Sequence, residues 1–488
     1  MAKRVAVIDI GSNSVRMVIY ERTSRFAFHL LHEEKSKVRI SENAYKHQGV
    51  LQQVPMQRTF DALENFLKIS NSFKVNKTFC VATSALRDAP NKQEFVQRVK
   101  SKLKLGIKVI SGEKEAYYGA IACANLLPQQ SNAMSIDIGG GSTEIAFIDG
   151  KNVTYTQSLK LGTVRLKELF FDTNDLEGAK EYIKQELDKI PMQDVSTLVG
   201  IGGTFRAISS AIMEYKKYPL NKLHAYECDQ KTFKNYIKRI LAAKESQLSK
   251  LFIQSNRFDV IKPGTLILKM VLSKFVIENV ITSGVGVREG VYLADLLRSS
   301  NHQFPVNYNS SMRYILDAHL SDKQFSNNLT KLTKQIFDLT HQFFDIDQNY
   351  REKLSIAAKL YPTGSNIHFY SQNKHSYYIA QTALEYGFSH KDITLISTLM
   401  KYAKNKLPAK SHFEKYALLL PEEHVVNSLS FILSLSIVLL SHRPRNIDFS
   451  LEFDEGVLKV TTQSNLYLAK NSIEKLQCPK EVQVVFNS

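Results

Sequence analysis

The sequence predicts an α/β front half built as two similar lobes, followed by a mainly helical region and a small α+β end. Three observations carry this. An apolar strand, a Gly/Ser/Asn turn and a second strand, RVAVIDIGSNSVRMVIY at residues 4–20, recur without a gap as AMSIDIGGGSTEIAFI at residues 133–148. Between residues 305 and 440 apolar positions fall at helical spacing, as in SMRYILDAHL, KLTKQIFDLTHQFF and KLSIAAKLY. From Asp448 the pattern changes to alternation, DFSLEFDEGVLKVTT, with a Glu455-Gly456 turn between two strands. A chain of 488 residues exceeds what one core ordinarily covers. The changes of pattern place domains at residues 1–125, 126–300, 301–444 and 445–488.

The repeat pairs Asp9 with Asp137, Gly11 with Gly139 and Ser14 with Ser142 at an offset of 128 residues. Two such units imply two like subdomains facing each other. Gly11 and Gly139, Gly140 and Gly141 relieve Cβ crowding, so the turn N–H groups can point inward as an anion nest. Ser12, Ser14, Ser142 and Thr143 add hydroxyl donors. Neither copy is a GxxxxGK[ST] loop or a GxGxxG loop opening a helix. A third cluster, Gly200, Gly202, Gly203 and Thr204, lies between a strand and a helix expected to start near Phe205. It reads either as close backbone approach to a ligand or as a plain strand–helix turn. In RFDVIKPGTLIL, Pro263-Gly264 reads as a turn before a helix, and NVITSGVGVREG from Asn279 as a closing strand.

Hydrophobic residues at 43% and charged residues at 23% fit a soluble globular protein. The net charge is +17, but residues 301–488 hold 20 basic and 17 acidic side chains, which leaves +14 on the first 300 residues. That asymmetry favours a polyanionic partner for the front half, with a generally basic surface as the alternative. Cys80, Cys123, Cys228 and Cys478 lack the paired spacing of a disulfide framework or a zinc knuckle. The start MAKRVAVIDI has no signal-peptide layout. The apolar run from His424 is broken by Ser and Asn short of the roughly 20 residues that span a bilayer. A buried helix, no membrane and the cytoplasm are therefore expected.

Seven segments then arrive in order over residues 4–295: Asp9-Ile-Gly-Ser-Asn-Ser-Val-Arg16, Ala82-Thr-Ser-Ala-Leu-Arg87, Ser111-Gly-Glu-Lys-Glu-Ala116, Asp137-Ile-Gly-Gly-Gly-Ser-Thr-Glu144, Leu161-Gly-Thr-Val-Arg165, Gly202-Gly-Thr-Phe-Arg206 and Gly284-Val-Gly-Val-Arg-Glu-Gly290. With them the chain resembles the exopolyphosphatase / guanosine pentaphosphate phosphohydrolase (Ppx/GppA) family of the sugar kinase–Hsp70–actin superfamily. The resemblance implies two ribonuclease-H-like (actin-like ATPase) lobes around a phosphate-binding cleft. It also implies a substrate that is polyphosphate, guanosine pentaphosphate or both, and pairing as a homodimer through the back half. No nucleic-acid partner is expected, because a phosphate-filled cleft accounts for the basic excess more economically.

Hydrolysis of a terminal phosphoanhydride needs a water, neutralisation of the phosphate oxygens and shielding of the leaving group. Asp137 and, seven residues on, Glu144 can meet at one end of a hairpin and suit Mg²⁺, which commonly takes one or two carboxylates plus phosphates and waters. The position equivalent to Glu144 in the first copy is Arg16, so the two loops carry opposite charges. In ISGEKEAYYGA, Glu113 and Glu115 cannot share a helix face, and spacing does not choose between them. By resemblance the catalytic glutamate falls on Glu115. Arginines are the expected clamps on phosphate oxygens. Arg16 is the best placed, Arg87 has Asp88 as a rival partner, and Arg257 resembles a family residue that approaches the phosphates. Arg206 contacts a nucleotide or only stabilises its loop. The expected phosphate contacts are thus Gly11, Ser12, Asn13, Ser14, Arg16, Arg87, Gly139, Gly140, Gly141, Ser142, Thr143 and Arg257. The expected nucleotide contacts are Gly202, Gly203 and Thr204.

In many relatives the helical region resembles an HD-type phosphohydrolase domain. Here Tyr361-Pro362 stands where its His-Asp pair would be, while His375 and His390 remain, so a degenerate HD-like domain with no metal pair is expected. Two functions of different class stay open: a phosphohydrolase, and a polyphosphate or nucleotide sensor without turnover. Glu115, Asp137 and Glu144 together favour the enzyme, since an anion binder gains little from three acids beside its ligand. A sugar kinase, the third option, would need an aspartate base suited to an alcohol.

Overall fold

The computed structural model describes residues 3–480 and 482–487. The chain divides into two compact units, one running to Asn309 and the other starting at Ser310.

In the first unit, β1 (Arg4–Ile10), β2 (Val15–Arg22) and β3 (Phe28–Ser36) form an antiparallel meander. Strands β4 (Lys77–Ala82) and β5 (Lys108–Val109) follow in parallel on the other side of β1, giving the order β3-β2-β1-β4-β5. The second sheet repeats this plan. Its meander is β6 (Gln130–Ile138), β7 (Thr143–Gly150) and β8 (Asn152–Leu159). Strand β9 (Thr197–Ile201) lies parallel to β6, and β11 (Asn279–Thr282) lies parallel to β9. Strand β10 (Tyr226–Asp229) adds an antiparallel edge, for the order β10-β11-β9-β6-β7-β8. The repeat extends to the register, with Asp9 opposite Arg16 and Asp137 opposite Glu144.

The central strand β1 is a near-continuous apolar run, and its counterpart β6 is buried over most of residues 133–138, as strands in the middle of a covered sheet are. Ile8, Ile10, Val15 and Met17 bury with Leu63 and Phe66 of the Gln53–Ser72 helix and with Phe95 and Val99 of the Lys92–Leu103 helix. In the second lobe Ile136, Ile145 and Phe147 bury with Phe205, Ile208, Ile267 and Leu268.

Three local expectations are corrected. The helix after β9 starts at Gly202, not near Phe205, because Gly202 takes φ +82° and turns directly out of the strand. Pro263-Gly264 is no turn: it lies inside the Phe258–Lys274 helix, where the ring costs one hydrogen bond near the N-terminus. A Cβ on Gly264 would come within 2.6 Å of Thr204 Cγ2 and 3.0 Å of Thr163 Cγ2, so the pair marks where this helix presses on the cleft loops. The strand from Asn279 stops at Thr282, and Val287–Leu296 is helical. Its first turn closes when Gly286 N–H donates to Glu289 Oε2 at 2.7 Å.

In the second unit the helices Ser310–His319, Lys323–Thr340, Tyr350–Leu360, Gln372–Ala383, His390–Lys401 and Glu423–Leu439 surround a core that includes Leu329, Leu332, Leu354, Ile396, Leu399, Leu429 and Ile432. Among the described residues no helix is long and apolar enough to cross a membrane. Strands β12 (Ser450–Asp454) and β13 (Val457–Thr461) are joined by Glu455 and Gly456, both at positive φ as a tight hairpin requires. Strand β14 (Gln483–Asn487) pairs in parallel with β13. Leu458, Val460, Leu466 and Ala469 join the core of the helices.

Candidate active site

The loops after β1 and β6 meet at a cavity of about 160 Å³. Each is closed by the same backbone bond: Gly11 N–H donates to Ser14 O at 3.2 Å, and Gly139 N–H to Ser142 O at 2.9 Å. A Cβ on Gly140 would come within 2.8 Å of Ser12 Cβ, so glycine is what lets the two loops touch. Of the expected residues, Gly11, Ser12, Asn13, Ser14, Arg16, Gly139, Gly140, Ser142, Gly202, Gly203, Thr204, Arg257, Glu115, Asp137 and Glu144 line this cavity.

One wall is cationic. Arg16, Lys35, Arg206, Arg257 and Arg288 all face the cavity. Burial, then the charges of Arg16 and Arg257, push the Lys35 ammonium down to about 8. Burial, then Arg288 and Arg206, lower Arg16 as well. Cations that depress one another around a void are relieved by an anion placed among them. The Arg257 guanidinium lies over Gly203, where any side chain would collide with it. Arg206 donates to Ser283 O at 2.8 Å and Val285 O at 3.3 Å, so it holds its neighbouring loop as well as facing the cavity. Arg288 is buried and donates to Glu33 at 2.7 Å.

The other wall is acidic. Ser111 caps the Gly112–Leu126 helix by accepting from Lys114 N–H, which leaves Glu115 buried at the cavity and Glu113 exposed. A Cβ on Gly112 would collide with Ser158 of β8, so this helix starts hard against the sheet. Arg87 donates to Glu115 Oε2 at 2.8 Å and lies 4.0 Å from Glu144, which accepts from Ser158 Oγ at 2.8 Å. Burial pushes the Glu144 carboxyl up to about 7. Burial, then the charge of Glu144, raises Glu115 well above the carboxylate range despite Arg87. Burial also raises Asp137, against Arg206, Arg16 and Arg288.

Three expected phosphate contacts do not line the cavity. Thr143 is fully buried and its hydroxyl donates to Leu161 O at 2.8 Å, because as the first residue of β7 it points into the lobe. Gly141 is covered by Tyr45, Ser84 and Ser12. Arg87 turns to Glu115, with Asp88 a weaker neighbour at 3.6 Å.

Asp9, Lys35 and Arg288 also line the cavity, beyond the contacts that the sequence predicts. Asp9 could have been found from its match to Asp137. Lys35 sits opposite Arg16 on β3, a register that no local pattern signals. Arg288 was visible only as part of GVGVREG.

Burial, with Asp137 and Glu289 adding to it, pushes Asp9 up to about 6 against Arg288 and Arg16, and its Oδ1 is buried without a hydrogen-bond partner. Among the described residues no three His, Cys, Asp or Glu side chains group so as to hold a metal ion by themselves. Two carboxylates and an unpaired carboxylate oxygen beside a phosphate-sized void nevertheless fit Mg²⁺, whose remaining ligands are ordinarily phosphate and water.

Two sheets of one plan, closing their hairpin loops on a small cavity, give the fold of the Ppx/GppA structures, which belongs to the actin/Hsp70-like ATPase superfamily. The front of the chain, residues 5–299, matches the model of the Ppx/GppA phosphatase family, and residues 309–479 match that of Ppx/GppA phosphatase domain III. The chain belongs to the Ppx/GppA phosphatase family, a family of hydrolases. It is 24% identical over 495 residues to a guanosine-5'-triphosphate,3'-diphosphate pyrophosphatase of Photobacterium profundum, covering 98% of this chain and 95% of that one. It is 30% identical over 298 residues to a bifunctional 3-dehydroquinate synthase/phosphatase of Fusobacterium nucleatum, and the match takes in 57% of this chain and only 44% of that relative's length. The crystal structure of the Aquifex aeolicus family member is 32% identical and superposes with a TM-score of 0.54, covering 62% of this chain and 99% of that one. An exopolyphosphatase from Cytophaga hutchinsonii shares the fold at 23% identity and a TM-score of 0.57, covering 62% of this chain and all of that one.

Proposed function

We propose that the chain is an exopolyphosphatase that releases terminal orthophosphate from inorganic polyphosphate and also converts guanosine pentaphosphate to the tetraphosphate. The observation that carries this is one cavity with five cations on one wall and the buried Glu115, held by Arg87, on the other. The terminal phosphate lies between the two loops. Its oxygens accept from loop N–H groups, from Ser12, Ser14 and Ser142, and from Arg16, Lys35 and Arg257.

Glu115 takes a proton from a water as the water oxygen bonds to the terminal phosphorus and the bridging P–O bond breaks. A carboxylate raised by burial holds that proton better than an exposed one. Asp137 and Glu144 are the residues that would hold Mg²⁺, with phosphate and water as its other ligands. When bound, the metal supplies charge neutralisation at the phosphate oxygens.

In this proposal the chain forms two ribonuclease-H-like lobes divided near residue 125, a degenerate HD-like region to residue 444 and a small cap, and it is a cytoplasmic homodimer. The burial of Tyr361, whose carbonyl accepts from Gln372 and Ser376, supports a domain filled by packing at that point.

Orthophosphate release from long-chain polyphosphate by the purified protein with Mg²⁺, against a heat-killed control, tests the activity. Tight binding without release would make it a sensor. Measured side by side, kcat/KM is expected to favour polyphosphate, given the +14 charge of the first 300 residues. A tenfold preference for guanosine pentaphosphate, about 1.4 kcal/mol, would reverse that order.

A further inference from the structure

The segment from Lys37 to His47 follows β3 and lies between the lobes. On one side it backs the first glycine loop: Arg39 N–H donates to Asn13 O at 3.0 Å, and Ser41 Oγ to Ser12 O at 3.1 Å. On the other side it is tied to the second lobe. Arg39 pairs with Asp259 at 2.9 Å, Asn43 N–H donates to Glu168 at 3.1 Å, and Lys46 pairs with Asp172 at 3.3 Å.

Tyr45 points inward from this segment. Its ring lies under the Arg165 guanidinium, 4.5 Å from the centroid. Arg165 in turn donates to Gly141 O at 2.8 Å and to Asp88 at 3.0 Å. The Tyr45 hydroxyl is buried beside the Ser12 hydroxyl, the side-chain partner that eases its burial. It shares one small space with two serines: a Cβ on Gly141 would collide with it and would lie 2.7 Å from Ser84 Oγ and 3.0 Å from Ser12 Oγ. Ser12 and Ser84 are 3.1 Å apart and both line the cavity.

We propose that Tyr45 is a positioning residue that frees the Ser12 and Ser84 hydroxyl hydrogens for the phosphate and sets the two glycine loops against each other across the lobes. The count of hydrogens makes the case. Two serines bonded to each other use one of their two hydrogens between them, which leaves one for a phosphate oxygen. A third hydroxyl can supply the hydrogen that the accepting serine needs, so both serine hydrogens turn to the phosphate. Tyr45 has Ser12 within reach, so it can supply that hydrogen to Ser12. The stacked Arg165, which also donates to Gly141 O, ties the ring to the second loop. This inference rests on the phosphate-binding reading of the cavity, and its activity arm rests on the phosphohydrolase reading.

Tyr45→Phe removes the hydroxyl and keeps the ring under Arg165. Two measurements decide the matter: calorimetric affinity for tripolyphosphate in EDTA, and kcat/KM for orthophosphate release with Mg²⁺. The thermal midpoint of each protein is taken alongside. We expect affinity to fall about fivefold and kcat/KM about tenfold, with the midpoint not lowered. Affinity within twofold of wild type would overturn the proposal, as would losses that accompany a lowered midpoint, since the hydroxyl would then be a packing contact. If the wild type binds tripolyphosphate but releases no phosphate, the phosphohydrolase reading falls while the affinity arm still decides Tyr45.

Discussion

At the tip of β1 Asp9 faces Arg16, and at the tip of β6 Asp137 faces Glu144, on hairpins with the same turn and the same register. Arg16 looks into a crowd of cations that includes Lys35, Arg206 and Arg288. Glu144 sits with Glu115, Ser158 and Arg87. One backbone design thus carries an arginine at the corner of one hairpin and a glutamate at the matching corner of the other. The difference teaches that the same glycine turn can be given either charge by the residue at its far corner.

The strongest test replaces Glu115, the acid that lies beside Glu144. Glu115→Gln should lower kcat by about 10²–10⁴-fold, the range typical of a positioned general base, while substrate affinity stays within a few-fold. The exposed Glu113→Gln serves as the control and should stay near wild type. A dead Glu113→Gln beside an active Glu115→Gln would reverse the assignment.

A sharper test takes the two corners separately. Arg16→Ala should raise KM about tenfold without changing the Mg²⁺ needed for half-maximal rate. Glu144→Ala should raise that Mg²⁺ requirement about tenfold and leave KM less affected. Equal shifts of both parameters in both variants would mean that the corners are not specialised.

The smallest effect is on stability. Asp9 at about 6 and Glu144 at about 7 are both raised above their unfolded values. Their contribution is therefore fully present below about pH 4 and is lost as pH rises through about 6 to 7. Histidines that burial holds below their ordinary value, such as His29 and His412, pull the other way in every variant, so the test is a difference: from pH 5 to pH 8 the midpoint of metal-free wild type should fall relative to that of Glu144→Gln. A difference that does not change over that window would contradict the raised Glu144.

Much of this site was legible because both loops spell the same hairpin, and the repeat alone places Asp9, Gly11, Asp137 and Gly139 at facing corners. Arg87 was harder. Asp88 adjoins it in sequence, whereas the partner it takes, Glu115, lies 28 residues on and is delivered by a helix start. Lys35 was hidden for a related reason, since only the pairing of β2 with β3 brings it beside Arg16. Pro263-Gly264 misled because Pro-Gly signals a turn locally. Its place in a helix is decided by the approach of Thr204 and Thr163, which a linear pattern does not contain. The glutamate pair was the opposite case: spacing left Glu113 and Glu115 equivalent, and the cap at Ser111 separated them.

Gly112 bears on any attempt to harden this protein by redesign. Replacing a helical glycine with alanine is a routine stabilising change, worth up to about 1 kcal/mol where the backbone tolerates it. At Gly112 the added methyl would meet Ser158, the residue that also donates to Glu144. Relieving that collision would push the whole Glu115 helix away from β8. A thermostability screen that scored only the melting temperature could therefore accept a change that pulls Glu115 and Glu144 apart.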